Sequence, residues 1–148
     1  MHYTTIRIQD QPGLNLLKEF LHANKLPASD INLAGNLFFG YHDKEGKLIG
    51  TGGLELYGDI ALLRSVAVDE KLRSLSIGKR IVDEMIAKAK SIKIKEIYLL
   101  TETAQSFFLK KGFDVIPREI TPDVIKNSSE FSQVCPASAV LMRLALSL

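Results

Sequence analysis

The chain has 148 residues, 46% hydrophobic and 24% charged, and its 19 basic and 17 acidic side chains leave a formal net charge of +2. This size and balance fit a single domain over residues 1–148 with a full apolar core, and the balanced charge excludes an argument for DNA or RNA as partner. We expect a protein that does not enter a membrane, because no apolar run reaches membrane-spanning length. We also expect a cytoplasmic protein, because the first residues lack a signal-peptide pattern and the single cysteine, Cys135, excludes an internal disulfide.

The first half of the chain predicts a strand, a helix and an antiparallel meander. Residues 3–8 alternate weakly as a strand, and Pro12-Gly13 opens a helix that runs to about Ala23. Residues 26–35 form a loop in this prediction, and such segments often border a substrate pocket. Three strands joined by short hairpin links follow, over residues 36–42, 47–56 and 59–68.

The second half of the chain alternates helices with strands. The predicted order is helix 75–90, strand 96–101, helix 103–111 stopped by Gly112, strand 113–116, a helix opening at Thr121-Pro122-Asp123, helical residues 127–133 and strand 139–146. A strand, helix, strand crossover makes its two strands parallel neighbours. We therefore predict an α/β fold, with a mixed sheet flanked by helices and with strands 59–68 and 96–101 adjacent at its centre.

The stretch from Arg73 to Arg80 predicts an anion site where helix 75–90 starts. Ser74 and Ser76 can each cap the helix, and Gly78 removes a side chain from its first turn, where backbone N–H groups lack intrahelical acceptors. The positive end of the helix dipole and the surrounding basic residues favour a phosphate group. An ordinary capped amphipathic helix is the alternative. A Walker loop is excluded, since Arg73 stands where it needs glycine, and a dinucleotide fingerprint is excluded, since the spaced glycines fall inside a strand.

Two segments resemble motifs of the GNAT acyltransferase family. Arg73-x-x-Ser76-x-Gly78 resembles its phosphate arm, Gln/Arg-x-x-Gly-x-Gly/Ala, which holds the pyrophosphate of acetyl-CoA with backbone amides. Serine replaces the usual glycine at Ser74 and Ser76, and Ser76 should be tolerated if the loop keeps its φ negative. Residues 104–113 resemble the family segment that packs beside the CoA thiol. Together with the element order, these matches are similar to the GNAT fold over essentially the whole chain.

Further segments resemble one branch, the small N-acetyltransferases associated with arsenic resistance, which are relatives of the phosphinothricin acetyltransferases. These segments are 53–55, 57–59, 63–68, 99–101, 130–131 and 135–139. The resemblance implies direct transfer of acetyl from acetyl-CoA, in a ternary complex, to the primary amine of a small, amino-acid-like molecule. The expected partners are that amine and, as an option, a second copy of the chain. The alternative is a GNAT-like CoA-binding sensor or interaction module without catalysis.

The resemblance also implies how acetyl-CoA is held: pantetheine lies as an extra strand between two splayed parallel strands, and an N–H of residues 66–68 donates to the oxyanion. A fully paired central strand is the alternative. The residues assigned to acetyl-CoA are Val66, Ala67, Val68, Arg73, Ser74, Leu75, Ser76, Ile77, Gly78, Lys79, Thr101 and Phe108. Phe108 stands where many relatives have the tyrosine that protonates the leaving thiolate, so water, a nearby hydroxyl or unassisted departure must replace that step.

Four residues are candidates for the chemistry itself. Glu55 is the first candidate for general base or ammonium anchor, with a solvated outward-facing side chain as the alternative; Glu102 is the second candidate, and an ordered water the third. Arg64 either binds an anionic group of the substrate or forms a structural ion pair with Glu55 or Asp59. Ser65 points away from Arg64, so both line the pocket only if a bulge intervenes.

No metal is expected. Cys135 is interpreted as a small buried hydrophobe or pocket-lining residue, because a soft-metal site needs several thiolates. The three histidines show no metal spacing.

Overall fold

The computed structural model describes residues 2–128 and 138–146, and seven strands in that part of the chain form one mixed sheet in the order β1-β2-β3-β4-β5-β7-β6. The strands are β1 Thr4–Arg7, β2 Leu37–His42, β3 Leu48–Tyr57, β4 Ile60–Val68, β5 Glu96–Thr101, β6 Asp114–Val115 and β7 Val140–Ala145. The helices are α1 Gln11–Ala23, α2 Ile77–Ser91, α3 Gln105–Lys110 and α4 Asp123–Lys126, with 3-10 turns at Glu70–Leu75 and Arg118–Ile120.

Within the described residues, the predicted order of strands and crossover helices and the central pair of strands are confirmed. Strands β2, β3 and β4 form the antiparallel meander, and β4 pairs with β5 in parallel. The crossover helix α2 starts at Ile77 rather than at residue 75, because a 3-10 turn precedes it and Ser76 takes a left-handed conformation between the two. The predicted helical stretch 127–133 and Cys135 lie largely or wholly outside the described residues, while the Ser128 hydroxyl donates to the Ile125 carbonyl at the end of α4.

The helices cover both faces of the sheet. Side chains of α2 and α3 pack with the larger apolar cluster, whereas α1 packs with Phe38 and Ala67, and Ile125 of α4 packs with Leu62 and Tyr98 on the opposite side. These contacts follow the alternation of β4, in which neighbouring leucines point to opposite faces. The sheet is therefore buried on both faces around the central strands, which explains their nearly continuous apolar sequence.

Glycines of β3 allow α2 to lie close to the sheet. A Cβ atom at Gly50 would stand 2.8 Å from Ile81 Cδ1, and one at Gly52 would stand 2.9 Å from Ile81 Cγ2. Both distances are shorter than any ordinary carbon contact, so larger residues would push the helix outward. Gly50 and Gly52 thus set the position of α2 and of its first turn against the sheet.

Candidate active site

The two central parallel strands separate after three residue pairs. Pairing of β4 with β5 runs from Ile60 opposite Glu96 to Leu62 opposite Tyr98, and both strands continue beyond it. A cleft of about 460 Å³ opens where they diverge, a volume in the usual range for small-molecule sites. Its lining combines residues 63–66 of β4, 99–101 of β5, 102–104 and Phe108 around α3, residues 24–27 after α1, and Ala139. The alternative of a fully paired central strand is therefore wrong.

A β-bulge lies at the mouth of this separation. Gly53 of β3 pairs with Arg64 and Thr51 pairs with Ala67, so two residues of β4 stand opposite one of β3. Ser65, the first of these two, has a left-handed φ of 59°, and its carbonyl accepts a 2.7 Å hydrogen bond from the Thr51 hydroxyl. Because of the bulge, Arg64 and Ser65 both line the cleft. The sequence analysis required such a bulge for both residues to reach one pocket.

Arg64 is engaged by carboxylates of the protein itself. Its two terminal nitrogens donate to Asp30 at 2.6 and 2.8 Å, and Nη1 also donates to Glu55 Oε2 at 3.0 Å. The guanidinium side chain has no exposed surface, and the two acidic side chains are each 7% exposed. The ion pair left open as the alternative for Arg64 is thus present with Glu55, whereas Asp59 lies 3.5 Å from Lys95 Nζ instead.

Asp30 is a site residue that sequence reasoning missed. It belongs to the loop between α1 and β2, and 34 positions separate it from Arg64, so no periodic pattern connects the two. Burial raises the pKa of the Asp30 carboxyl, but the hydrogen bond and charge of Arg64 oppose that effect and leave the pKa below its usual value. Asp30 is therefore ionised at neutral pH. Because the carbonyl of Pro27 also accepts from Arg64 at 3.4 Å, this arginine anchors the loop that forms one wall of the cleft.

The two candidate bases occupy different environments. Glu55 is only 5% exposed, accepts from the Tyr57 hydroxyl at 2.8 Å, and lies behind Arg64 rather than among the cleft-lining residues. Its carboxylate is therefore not solvated, in contrast to the alternative considered for it. Glu102 is exposed, lines the cleft, and accepts a 2.9 Å hydrogen bond from the Ser138 hydroxyl. Of the two carboxylates, only Glu102 has direct access to the cleft.

The start of α2 differs from the prediction in the role of its serines. Ser76 occupies the N-cap position but has φ 61°, and its side chain makes no capping hydrogen bond. The negative φ on which the tolerance of Ser76 depended is therefore not present, and the left-handed conformation explains why glycine suits this position in related motifs. Ser74 belongs to the preceding 3-10 turn and Ser76 holds the N-cap position of α2, while the side chains of Ser74 and Leu75 lie outside the described part of the structure.

Arg73 connects the start of α2 to the rest of the site. Its Nε donates to the Val68 carbonyl at 3.2 Å and its Nη2 donates to the Asn24 side chain at 2.7 Å. Both partners are uncharged, so neither neutralises the positive charge of the guanidinium. This charge lies beside the first turn of α2, where Ile77, Gly78 and Lys79 present their amides. Asn24 also lines the cleft, so Arg73 connects the 3-10 turn before α2 to the cleft wall.

The far side of the cleft is formed by the end of β5 and by α3. The Thr101 hydroxyl accepts a 3.0 Å hydrogen bond from the Ala104 amide just before α3. Phe108 lines the cleft, is 8% exposed, and packs edge-to-face against Phe107 and Phe113 at 5.0 and 5.5 Å. A phenyl ring supplies no proton, so any donor to a leaving group must come from elsewhere in the cleft.

The described residues contain neither a metal-ligand cluster nor a membrane-spanning helix. No group of three histidine, cysteine, aspartate or glutamate side chains within residues 2–128 and 138–146 is arranged to hold a metal ion. None of the helices assigned there is long and apolar enough to cross a membrane.

Comparison with known proteins identifies the family of this chain. Residues 34–115 match the acetyltransferase (GNAT) domain. An amino-acid acetyltransferase of Mycobacterium tuberculosis is 33% identical over 94 residues, which cover 63% of this chain and 51% of that protein. The chain thus spans about half the length of this relative.

Two solved structures share the fold. A GNAT-family acetyltransferase from Staphylococcus aureus has a TM-score of 0.76 at 23% identity, with 99% of this chain and 100% of that chain covered. N-acetylglutamate synthase from Neisseria gonorrhoeae, solved with coenzyme A and N-acetyl-glutamate, has a TM-score of 0.79 at 15% identity, with 100% of this chain and 36% of that chain covered. At these identities the likeness establishes the fold and leaves the substrate open.

Proposed function

The chain belongs to the GNAT family of acetyltransferases, and we propose that residues 1–148 form one domain that transfers the acetyl group of acetyl-CoA to the primary amine of a small, amino-acid-like molecule. The observation that carries this proposal is the separation of β4 from β5 after Leu62, which opens a cleft bordered by backbone of both strands. This acceptor class is supported by one relative that is named as an amino-acid acetyltransferase and by one structural neighbour that holds coenzyme A with an acetylated amino acid.

The proposed path of acetyl-CoA follows the chain from α2 to β4. Its diphosphate lies at the first turn of α2, where Ile77, Gly78 and Lys79 offer backbone amides, Gly78 adds no side chain, and Arg73 and Lys79 supply positive charge. Its pantetheine arm lies along residues 66–68, of which Val66 lines the cleft, and an amide of that run donates to the oxyanion that forms when the amine attacks. Thr101 and Phe108 border the thiol end. Holding both reactants in one cleft supports direct transfer in a ternary complex.

We assign the general-base role to Glu102 in preference to Glu55. Glu102 lines the cleft and is exposed, so it or a water bound to it can take the proton that the acceptor ammonium must lose before attack. Glu55 instead helps Asp30 to neutralise Arg64. In this assignment, Arg64 and Glu55 act by holding the cleft wall in place. Arg64 could contact the acceptor directly only if it also kept its hydrogen bonds to Asp30 and Glu55.

The proposal is tested by binding and turnover measured on the same preparation. Isothermal titration calorimetry with acetyl-CoA should give saturable binding, and a thiol-release assay over a panel of amino acids should identify the acceptor. The panel includes phosphinate and arsenic-containing amino-acid analogues, because segments such as 63–68 resemble the arsenic-resistance branch. Binding of acetyl-CoA without release of thiol for any acceptor would favour a catalytically inactive CoA-binding module.

A further inference from the structure

Lys25 brings a positive charge to the cleft that no side chain of the described residues neutralises. Among the described residues that line the cleft, the charged side chains are Lys25, Arg64 and Glu102. The guanidinium of Arg64 is fully buried and bonded to two carboxylates, so its charge is already compensated within the protein. Lys25 is exposed, and its ammonium group forms no ion pair with a carboxylate of residues 2–128 or 138–146. Its charge is therefore available to an anion in the cleft.

The backbone of Lys25 has a conformation that normally selects glycine. Lys25 is the second residue after the end of α1, and its φ of 60° is left-handed. Its amide donates to the His22 carbonyl at 3.0 Å, and the Leu26 amide donates to the Leu21 carbonyl at 2.9 Å. This pair of hydrogen bonds is typical of helix ends that place glycine at the left-handed position. A lysine there costs stability relative to glycine, so the turn by itself does not favour it.

The segment that carries this lysine is fixed on both sides. Before it, the Asn24 side chain accepts a 2.7 Å hydrogen bond from Arg73. After it, the Pro27 carbonyl accepts a 3.4 Å hydrogen bond from Arg64. Residues 24–27 are therefore held in place before a ligand arrives, and binding an anion orders little more than the lysine side chain itself.

The other walls of the cleft indicate which anion Lys25 meets. In the proposed path of acetyl-CoA, the diphosphate already has the amides of the first turn of α2 and the side chains of Arg73 and Lys79. The far wall of the cleft carries Glu102, which we assign to the acceptor amine. A cation on one wall and a carboxylate on another match the two charged ends of an amino acid.

We propose that Lys25 binds the carboxylate of the acceptor and thereby selects amino acids over simple amines, an inference that rests on the proposed acetyltransferase function. The ammonium group of Lys25 donates charge-assisted hydrogen bonds to that carboxylate, while Glu102 faces the amine that is acetylated. Arg64, the candidate for this contact from sequence alone, holds the loop instead. An acceptor with the same side chain and no carboxylate is then a poorer substrate, because it leaves Lys25 without a partner.

The test compares Lys25→Met with Lys25→Arg on a matched pair of acceptors. The pair is the best amino acid of the panel and its carboxamide, which keeps the amine and lacks the negative charge. Lys25→Met should raise the KM of the amino acid about tenfold, with kcat and the KM of the carboxamide within roughly threefold of wild type. Lys25→Arg keeps the charge and should stay within roughly threefold for both acceptors. Lys44→Met, which removes an exposed lysine between β2 and β3, is the matched control and should keep wild-type kinetics.

The kinetic outcomes decide the role of Lys25 without touching the acetyltransferase. Unchanged KM values for both acceptors in Lys25→Met, or an equal rise for the two, would overturn the carboxylate contact and leave the enzyme intact. A weaker Kd for acetyl-CoA with an unchanged acceptor KM would also overturn it, because the lysine would then bind the CoA diphosphate. A selective rise for the amino acid supports it.

Binding without turnover keeps the two proposals apart. Calorimetric titration of amino acids into the protein saturated with coenzyme A should show binding that Lys25→Met weakens about tenfold. A wild-type protein that acetylates no acceptor would overturn the proposed function. If amino acids still bind to its complex with coenzyme A and Lys25→Met weakens them, the carboxylate contact stands; if none binds, both proposals fall.

Discussion

The glycine in the first turn of α2 allows a test in which stability and ligand binding change in opposite directions. Gly78 has no positive φ, and a Cβ atom there would lie 3.6 Å from Val68 Cγ2, an ordinary contact. The protein itself therefore does not require glycine at this position. Gly78→Glu replaces a poor helix former and places a carboxylate at the positive end of the helix dipole. These two gains together stabilise the fold by about 1 kcal/mol, which raises the melting temperature by about 3 °C.

The same carboxylate should weaken the binding of acetyl-CoA. Two unit charges about 5 Å apart repel by about 3 kcal/mol at an effective dielectric constant of about 20, and half of that already raises Kd roughly tenfold. Calorimetric titration at low salt measures this loss. Gly78→Gln has the same shape without the charge and serves as the matched control, and the difference between the two variants should shrink as salt screens the repulsion. If both variants bind acetyl-CoA as wild type does, the diphosphate does not lie at this turn.

Three further predictions concern the cleft wall and the sheet. Arg64→Lys should raise the acceptor KM with little effect on acetyl-CoA, because lysine cannot reproduce the two-point bond to Asp30; steady-state kinetics with each substrate varied checks this, and two unchanged KM values would contradict it. Asp30→Asn should reduce the free energy of unfolding most above the ordinary aspartate pKa of 3.8. Since the folded pKa is lowered, the stabilisation is present above that value and lost as pH falls through the folded pKa, so urea titrations of wild type and variant should converge in acid, and a constant difference would count against the argument. Gly53→Ala should destabilise the fold by about 2 kcal/mol, because the added Cβ would stand 2.5 Å from the Phe38 ring; Gly78→Ala, which has room for its methyl group, is the control, and equal melting temperatures would refute the packing argument.

The engagement of Arg64 bears on how the acceptor is recognised. A planar guanidinium in a cleft suits a substrate carboxylate, but here two carboxylates of the protein already occupy its terminal nitrogens. Breaking a buried pair by removing one partner leaves an uncompensated charge and typically costs about 3–5 kcal/mol. Arg64 is therefore better suited to holding the loop in place than to exchanging partners during each catalytic cycle.

Much of the architecture could be predicted from local patterns. The apolar spacing of Ile77, Ile81 and Val82 defines α2, and the apolar run of residues 97–100 defines β5. A crossover between two strands of this kind has to make them parallel, so the position of β4 beside β5 follows from element order alone. The family motif at Arg73 to Gly78 was visible for the same reason, because it lies within one continuous segment.

Tertiary structure decided the features that depend on distant segments. The bond between Asp30 and Arg64 joins residues that 34 positions separate, and no local pattern encodes it. The left-handed φ of Ser65 follows from a register shift against β3, and that shift brings Arg64 and Ser65 to one cleft although alternation alone would place them on opposite faces. Sequence determined which residues form strands and helices, because short-range sterics and the period of the apolar residues govern these elements. The pairing of strands and the folding of the loop over β4 determined which side chains meet, because only the assembled sheet sets those distances.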